Sequence, residues 1–311
     1  MRRLLLLSTV VVAALFFIAA AARIVRANRV PSDDSRETIL VDGLTREYLL
    51  HLPPALDPAH PVPLVLVFHG GGGHARNMPH HTHFDEIANQ ENFAVAYPDG
   101  FNKQWNDTRE LFPVDDVAFI RALIVKLEHD HPIDPARIYA TGLSNGGFFS
   151  NRLACDLADK IAAIASVAAT MPSTLPQNCK PSRPISVLYM HGTKDPLVPI
   201  NGGEIAALFG GRGENISLAA AANFWRDFDH TNPAPVSETL PDRVHDGTHV
   251  LRDVWSGGHD HTEVVVYTIV GGGHGWPGGP QYLPKMIVGK VSGQMDASRV
   301  IWNFFSDKRL P

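Results

Sequence analysis

Five short apolar runs, each ended by glycine or a polar turn, constrain this 311-residue chain more than any other feature. They are PLVLVFHGGGG from Pro63, NFAVAYPDG from Asn92, RIYATG from Arg137, ISVLYMHGTKD from Ile185 and EVVVYTIVGGGH from Glu263. A run without polar alternation has no face to leave in water. Strands buried on both faces look like this, as in parallel sheets whose crossover helices cover them. Helical patterns do fall between the runs. Asp115 to Glu128 opens with acids suited to a helix N-terminus, and Val117, Ile120, Leu123, Ile124 and Leu127 share one face. Further helices are expected over Phe148 to Leu157, over Ser217 to Phe228 from a serine cap, and over Ala297 to Phe305 after Asp296. Ahead of them, ETILVDGLTREYLLHLPP reads as a hairpin turning at Asp42-Gly43. The expected fold class is α/β: a mostly parallel central sheet flanked by helices, in one domain spanning residues 31–311.

Residues 1–30 stand apart. Arg2 and Arg3 precede an apolar stretch from Leu4 to Ala22, with small residues at Ala19 to Ala22 and a possible cut near Ala27. This pattern is that of a signal peptide, or of an N-terminal membrane anchor if it is not removed. Either way the expected location is secreted, periplasmic or extracellular, with membrane contact only through an uncleaved leader. A formal net charge of −5, and no Lys/Arg block beyond the leader, argue against a nucleic-acid partner. The two cysteines, Cys155 and Cys179, most simply pair in an exported chain, and two buried thiols are the alternative.

In open α/β sheets, ligands sit beyond the carboxyl ends of the strands, and four of the five runs end in chemically suggestive residues. The run from Arg137 leads into Gly142-Leu143-Ser144-Asn145-Gly146, a G-x-S-x-G pattern directly before a helix. Chance alone produces such a match in roughly one chain in ten of this composition, so its placement matters more than the pattern. A strand-to-helix elbow presents Ser144 as a nucleophile, with the Asn145 N–H at a positive helix end. The run from Pro63 ends in His69 and four glycines, where the N–H of Gly71, or alternatively Gly70, can serve as a second oxyanion donor. No Lys-Ser/Thr follows those glycines, which disfavours a phosphate loop.

Asp195 stands just past the run from Ile185, and His274 lies among glycines just past the run from Glu263. Asp195 can orient an imidazole, although Asp195-Pro196 is also an ordinary turn. Asp227, Asp229, Asp242, Asp246 and Asp260 are competitors that follow no comparably clear strand. The resulting order of Ser144, Asp195 and His274 is that expected of α/β-hydrolases.

The sequence resembles the α/β-hydrolase esterases that include extracellular polyhydroxybutyrate depolymerases, feruloyl esterases and related carbohydrate esterases. The resemblance runs from about Thr38 to Phe305. It is carried by AYPDGFNKQWN, VDDVAFI, IDPARIYATGLSNGGFFSNRLACDLADKIAAIASVA, HGTKDPLVPINGG and GGGHGWPGG. It implies Ser144 as nucleophile, Asp195 as acid and His274 as base, supports a Cys155–Cys179 disulfide, and implies cleft-lining roles for Trp105 and Trp276. Core packing is the other reading of both tryptophans. Many relatives carry a second cysteine pair that would fall near Thr231 and Gly258. Its absence here implies a looser loop before His274.

His74, His80, His81 and His83 crowd one segment, yet show no ligand spacing on a helix, and the resemblance implies no metal. They read as solvated loop histidines. The chain therefore reads as a serine hydrolase of carboxylic esters, needing no cofactor and no metal. Its substrate would be a hydroxycinnamoyl, short-chain acyl or hydroxyalkanoate ester. A secreted serine peptidase and a non-catalytic binding module on the same fold are the alternatives.

Overall fold

The structure, a computed structural model, describes residues 34–109, 112–206 and 213–311; the leader expected over residues 1–30 lies outside them. The strands are β1 (Asp34–Val41), β2 (Leu44–His51), β3 (Val62–Phe68), β4 (Ala94–Pro98), β5 (Ile133–Leu143), β6 (Ala163–Val167), β7 (Ser186–Gly192), β8 (Gly203–Glu204), β9 (Glu214–Asn215), β10 (Val236–Thr239), β11 (His249–Trp255) and β12 (Val264–Val270). Among the described residues one sheet runs β1-β2-β4-β3-β5-β6-β7-β12-β11-β10, and β8 pairs only with β9. The six strands from β4 to β12 are parallel, and an antiparallel pair closes each edge.

All five apolar runs become strands of that parallel centre, and β3, β4 and β7 are buried at every residue. The hairpin turns at Asp42 and Gly43, both with positive φ. The expected helices appear as Asp116–Asp130, Leu218–Asp229 and Ala297–Phe305, where Asp115, Ser217 and Asp296 accept the N–H three residues on. The helix expected from Phe148 begins earlier and covers Asn145–Asp156. Its opening Gly146-Gly147 has poor helix propensity, but close packing of Gly146 against the end of β3 and of Gly147 against Ser166 and Ala169 overrides it. Among the described residues no helix is long and apolar enough to cross a membrane.

The strand order reverses beside β3. The chain leaves β3 for β4 on one side, then crosses back to lay β5 on the other. Phe68, the last residue of β3, pairs with Gly142 near the end of β5. The glycine-rich loop and the serine elbow thus leave adjacent strands at the topological switch point, where α/β sheets open a crevice.

Candidate active site

Ser144 sits between β5 and the helix Asn145–Asp156 with φ 56° and ψ −118°, a backbone conformation that non-glycine residues rarely adopt. The turn is this tight because backbones meet there. A Cβ on Gly142 would lie 2.6 Å from the Gly146 carbonyl carbon, and one on Gly146 would lie 2.4 Å from the Phe68 oxygen. A serine at a helix N-cap ordinarily spends its hydroxyl on the first-turn N–H groups. Ser144 makes no such cap bond. Ser144 instead lines a cavity of about 280 Å³ whose walls include His69, the 70–73 glycines and His274.

His274, 2% exposed, approaches that cavity from beyond β12. Its Nδ1 lies 2.8 Å from Oδ2 of Asp195. The other carboxylate oxygen of Asp195 accepts the N–H groups of Leu197 (2.8 Å) and Val198 (2.9 Å). Burial works to raise the Asp195 carboxyl, but the adjacent His274, His191 and the Val198 N–H outweigh it and hold it below the ordinary carboxylate range. A charged carboxylate therefore faces Nδ1, which keeps the proton there and leaves Nε2 as the basic nitrogen. The structure brings Ser144, Asp195 and His274 to one end of the sheet.

Gly71 and Asn145 border the same space as Ser144. Among the described residues no hydrogen bond engages the N–H of either. The Gly70 carbonyl accepts the N–H of Gly73 and the Nδ1–H of His69, which fixes the loop's course. His69 was not singled out as a site residue from sequence. Its Nε2 accepts the Gly100 N–H at 2.9 Å, and since a backbone N–H only donates, the ring proton must sit on Nδ1. Burial lowers this imidazole to about 4, so it is neutral at pH 7 and both bonds persist.

Neither expected tryptophan lines the cavity beside Ser144. Trp105 is fully buried, stacked on Phe149 at 4.9 Å with Phe68 edge-on at 5.1 Å. Its Nε1 donates to the His69 carbonyl, and its backbone N–H and C=O are both clamped by the Asn145 side chain. Asn145 also donates to Asp107. Trp105 is thus a brace behind the glycine-rich loop and the elbow. Trp276, 3% exposed, donates to Ser298 and borders a separate cavity with Thr82, Arg243 and Met295. The cleft-lining roles are corrected to packing roles: large aromatics with a satisfied N–H serve as core.

The histidine segment is also less solvated than its composition suggests. His80 and His83 are exposed, but His74 and His81 line the same cavity as Ser144. Burial together with its neighbours His80 and His83 lowers His81 to about 4. The grouping of possible metal ligands found among the described residues lies elsewhere: Asp34, His51 and Asp85. There His51 bonds Asp34 at 3.0 Å and Asn89 at 2.8 Å, tying the β1–β2 hairpin to the helix Phe84–Glu91. Cys155 and Cys179 form a disulfide with Cα atoms 4.9 Å apart, linking the end of the elbow helix to the chain approaching β7.

No family model matches the chain. It is 33% identical over 300 residues to the putative esterase NocK of Nocardia uniformis subsp. tsuyamanensis, covering 91% of this chain and 86% of that protein. It is 31% identical over 215 residues to the probable feruloyl esterase C of Aspergillus niger, covering 65% of this chain and 77% of the relative. The chain belongs to the feruloyl-esterase-like family of α/β-hydrolases. Among solved structures, the acetyl xylan esterase from Aspergillus awamori superposes with a TM-score of 0.55 over 76% of this chain and 92% of that one. At 13% identity it shares the α/β-hydrolase fold, and its likeness speaks for the fold alone.

Proposed function

We propose that this protein is an exported serine hydrolase of carboxylic esters, of the feruloyl esterase and polyhydroxybutyrate depolymerase type, working through an acyl-enzyme on Ser144. The reading rests above all on one observation: an uncapped serine on a strained elbow shares its cavity with a histidine already held by a buried aspartate. His274 Nε2 takes the Ser144 proton as Oγ attacks the ester carbonyl. The N–H groups of Gly71 and Asn145 receive the oxyanion, and Asp195 stabilises the imidazolium. The carbon–oxygen bond to the alcohol then breaks, and the alkoxide leaves with the proton from His274. Water, deprotonated by His274 in turn, releases the acid and restores Ser144. The chemistry calls on no cofactor or metal.

The catalytic domain is assigned to residues 31–311 and export to the leader of residues 1–30, a placement supported by the disulfide between the chain's two cysteines. Ser144→Ala should lower hydrolysis of p-nitrophenyl acetate by at least about 10³-fold while leaving the thermal unfolding transition in place. Undiminished activity would remove Ser144 from the reaction. A matched acetanilide, hydrolysed far more slowly than the ester, separates this reading from a peptidase.

A further inference from the structure

His191 is a fully buried imidazole that the reaction as written leaves idle. It stands one residue before the end of β7, paired with Thr268 of β12, with β6 along the strand's other edge. Its Nε2 lies 2.9 Å from the Val198 carbonyl oxygen. A carbonyl only accepts, so the ring proton sits on Nε2. Nδ1 has no hydrogen-bond partner among the described residues. Burial and the nearby His274 hold this imidazole below its ordinary range, against the pull of Asp195 and the Val198 and Ala169 carbonyls. The ring is therefore neutral at pH 7.

From His191 a chain of contacts runs to the catalytic base. Val198 gives its carbonyl to His191 and its N–H to Oδ1 of Asp195, at 2.9 Å in each case. Oδ2 of the same carboxylate lies 2.8 Å from Nδ1 of His274. The near half of the acid turn is fastened elsewhere. The N–H groups of Thr193 and Lys194 bond the carbonyls of Ile269 and Gly272, and the Thr193 hydroxyl accepts the Gly271 N–H. Those bonds fix the turn up to Lys194. His191 ties its far half, at Val198, back to the centre of the sheet, so Asp195 is held between two fastened points. Resting on the reading of Ser144, Asp195 and His274 as the catalytic set, we propose that His191 is a positioning residue of the reaction, which through Val198 keeps Oδ2 of Asp195 aligned on Nδ1 of His274.

The choice of an uncharged donor has a physical reason. His191 Nε2 also lies 3.7 Å from Oδ2 of Asp195, too far for a hydrogen bond but near enough for a charge to be felt. A lysine or arginine there would set a permanent second cation beside the oxygen that the imidazolium of His274 needs in the transition state. Two cations on one carboxylate oxygen weaken each other's hold. The titratable groups that bear on Asp195 include His274, His191 and Tyr282. Burial keeps the Tyr282 phenol protonated and the His191 ring neutral, which leaves the carboxylate's charge to His274.

The test compares His191→Met and His191→Gln with the wild type in the full chain. Methionine fills similar space with no donor, whereas glutamine carries a neutral N–H at about the reach of Nε2. On p-nitrophenyl acetate, His191→Met should lower kcat by about 10–100-fold with little change in KM, the effect of a small misalignment. The acid limb of its kcat/KM profile should move down by about 0.5–1 pH unit, because a carboxylate drawn off Nδ1 stabilises the His274 imidazolium less. His191→Gln should recover most of both. A folded His191→Met with the kcat and acid limb of the wild type would overturn the proposal, even if its unfolding temperature fell. So would a His191→Gln that is folded and as impaired as His191→Met. Imidazole ¹⁵N shifts of the wild type need no variant: at pH 7 His191 should be neutral with its proton on Nε2, and a charged ring or a proton on Nδ1 would overturn the proposal. Failure of the underlying reading looks different: Asp195→Asn would then keep its activity whatever His191 does.

Discussion

Asp195→Asn separates the electrostatic and geometric parts of this site within one isosteric change. In the wild type, Oδ1 accepts two backbone N–H groups and Oδ2 faces Nδ1 of His274. An asparagine must choose which side receives its oxygen. Turning its NH₂ toward Leu197 and Val198 would leave two N–H groups without an acceptor, at about 1–3 kcal/mol each. Keeping the oxygen there points the NH₂ at His274, whose Nδ1 must then accept. The imidazole proton moves to Nε2, and the nitrogen facing Ser144 becomes a donor instead of a base. The fold is retained and the base is lost. The expected fall in kcat on p-nitrophenyl acetate is about 10³–10⁴-fold, or about 4–5.5 kcal/mol of transition-state stabilisation. Thermal unfolding recorded on the same sample should move by only a few degrees, on the order of 1 kcal/mol. A variant that keeps kcat within about tenfold of wild type would show that His274 does not depend on Asp195 for its tautomer.

Three further outcomes follow from the packing and the charges. Trp105→Ala should cost about 3–5 kcal/mol of unfolding free energy in urea titration, because it empties the space between Phe68 and Phe149; a changed KM with unchanged stability would return Trp105 to the substrate cleft. His51 is pulled down by burial but carried up to about 9 by its bond to Asp34 and the charge of Asp85. Its folded value thus lies above the ordinary one, so its contribution is full below pH ~6.5 and lost as pH rises through about 9, a decline on the order of 1–2 kcal/mol. Urea midpoints from pH 6 to 9.5 should show that decline in the wild type and a flatter profile in His51→Gln. Replacing Cys155 and Cys179 together by serine opens a loop 24 residues long and should cost about 3 kcal/mol, read as a lower urea midpoint.

The centre of the fold was legible because burial on both faces leaves a strand little but apolar residues, and the runs holding Phe68, Tyr97, Tyr139, Tyr189 and Val266 all show it. The strand Ala163–Val167 escaped that reading. Its AIASV lacks a dense β-branched core and sits in an alanine-rich stretch that also suits a helix. The edge strands Val236–Thr239 and His249–Trp255 carry polar and exposed residues, so no apolar run marks them. At the site, Ser144, Asp195 and His274 were readable because each follows a recognisable strand. The support behind them was not. The clamp of Trp105 by Asn145, and the tautomer of His69 set by Gly100, depend on contacts between residues 31 to 40 apart in the chain. Only the quoted stretch AYPDGFNKQWN hinted that the segment carrying them mattered. The cleft assignment of Trp105 and Trp276 came from the family resemblance alone, and burial decides against it.

The central claim is that Ser144 carries the acyl group, and an intermediate tests it more directly than any rate. Purified protein mixed with p-nitrophenyl acetate, quenched in acid within the first turnovers and digested, should yield the peptide containing Ser144 bearing one acetyl group. His274→Ala should yield none. An acetyl group found on a different residue, or turnover with no acylated species at any quench time, would contradict the account.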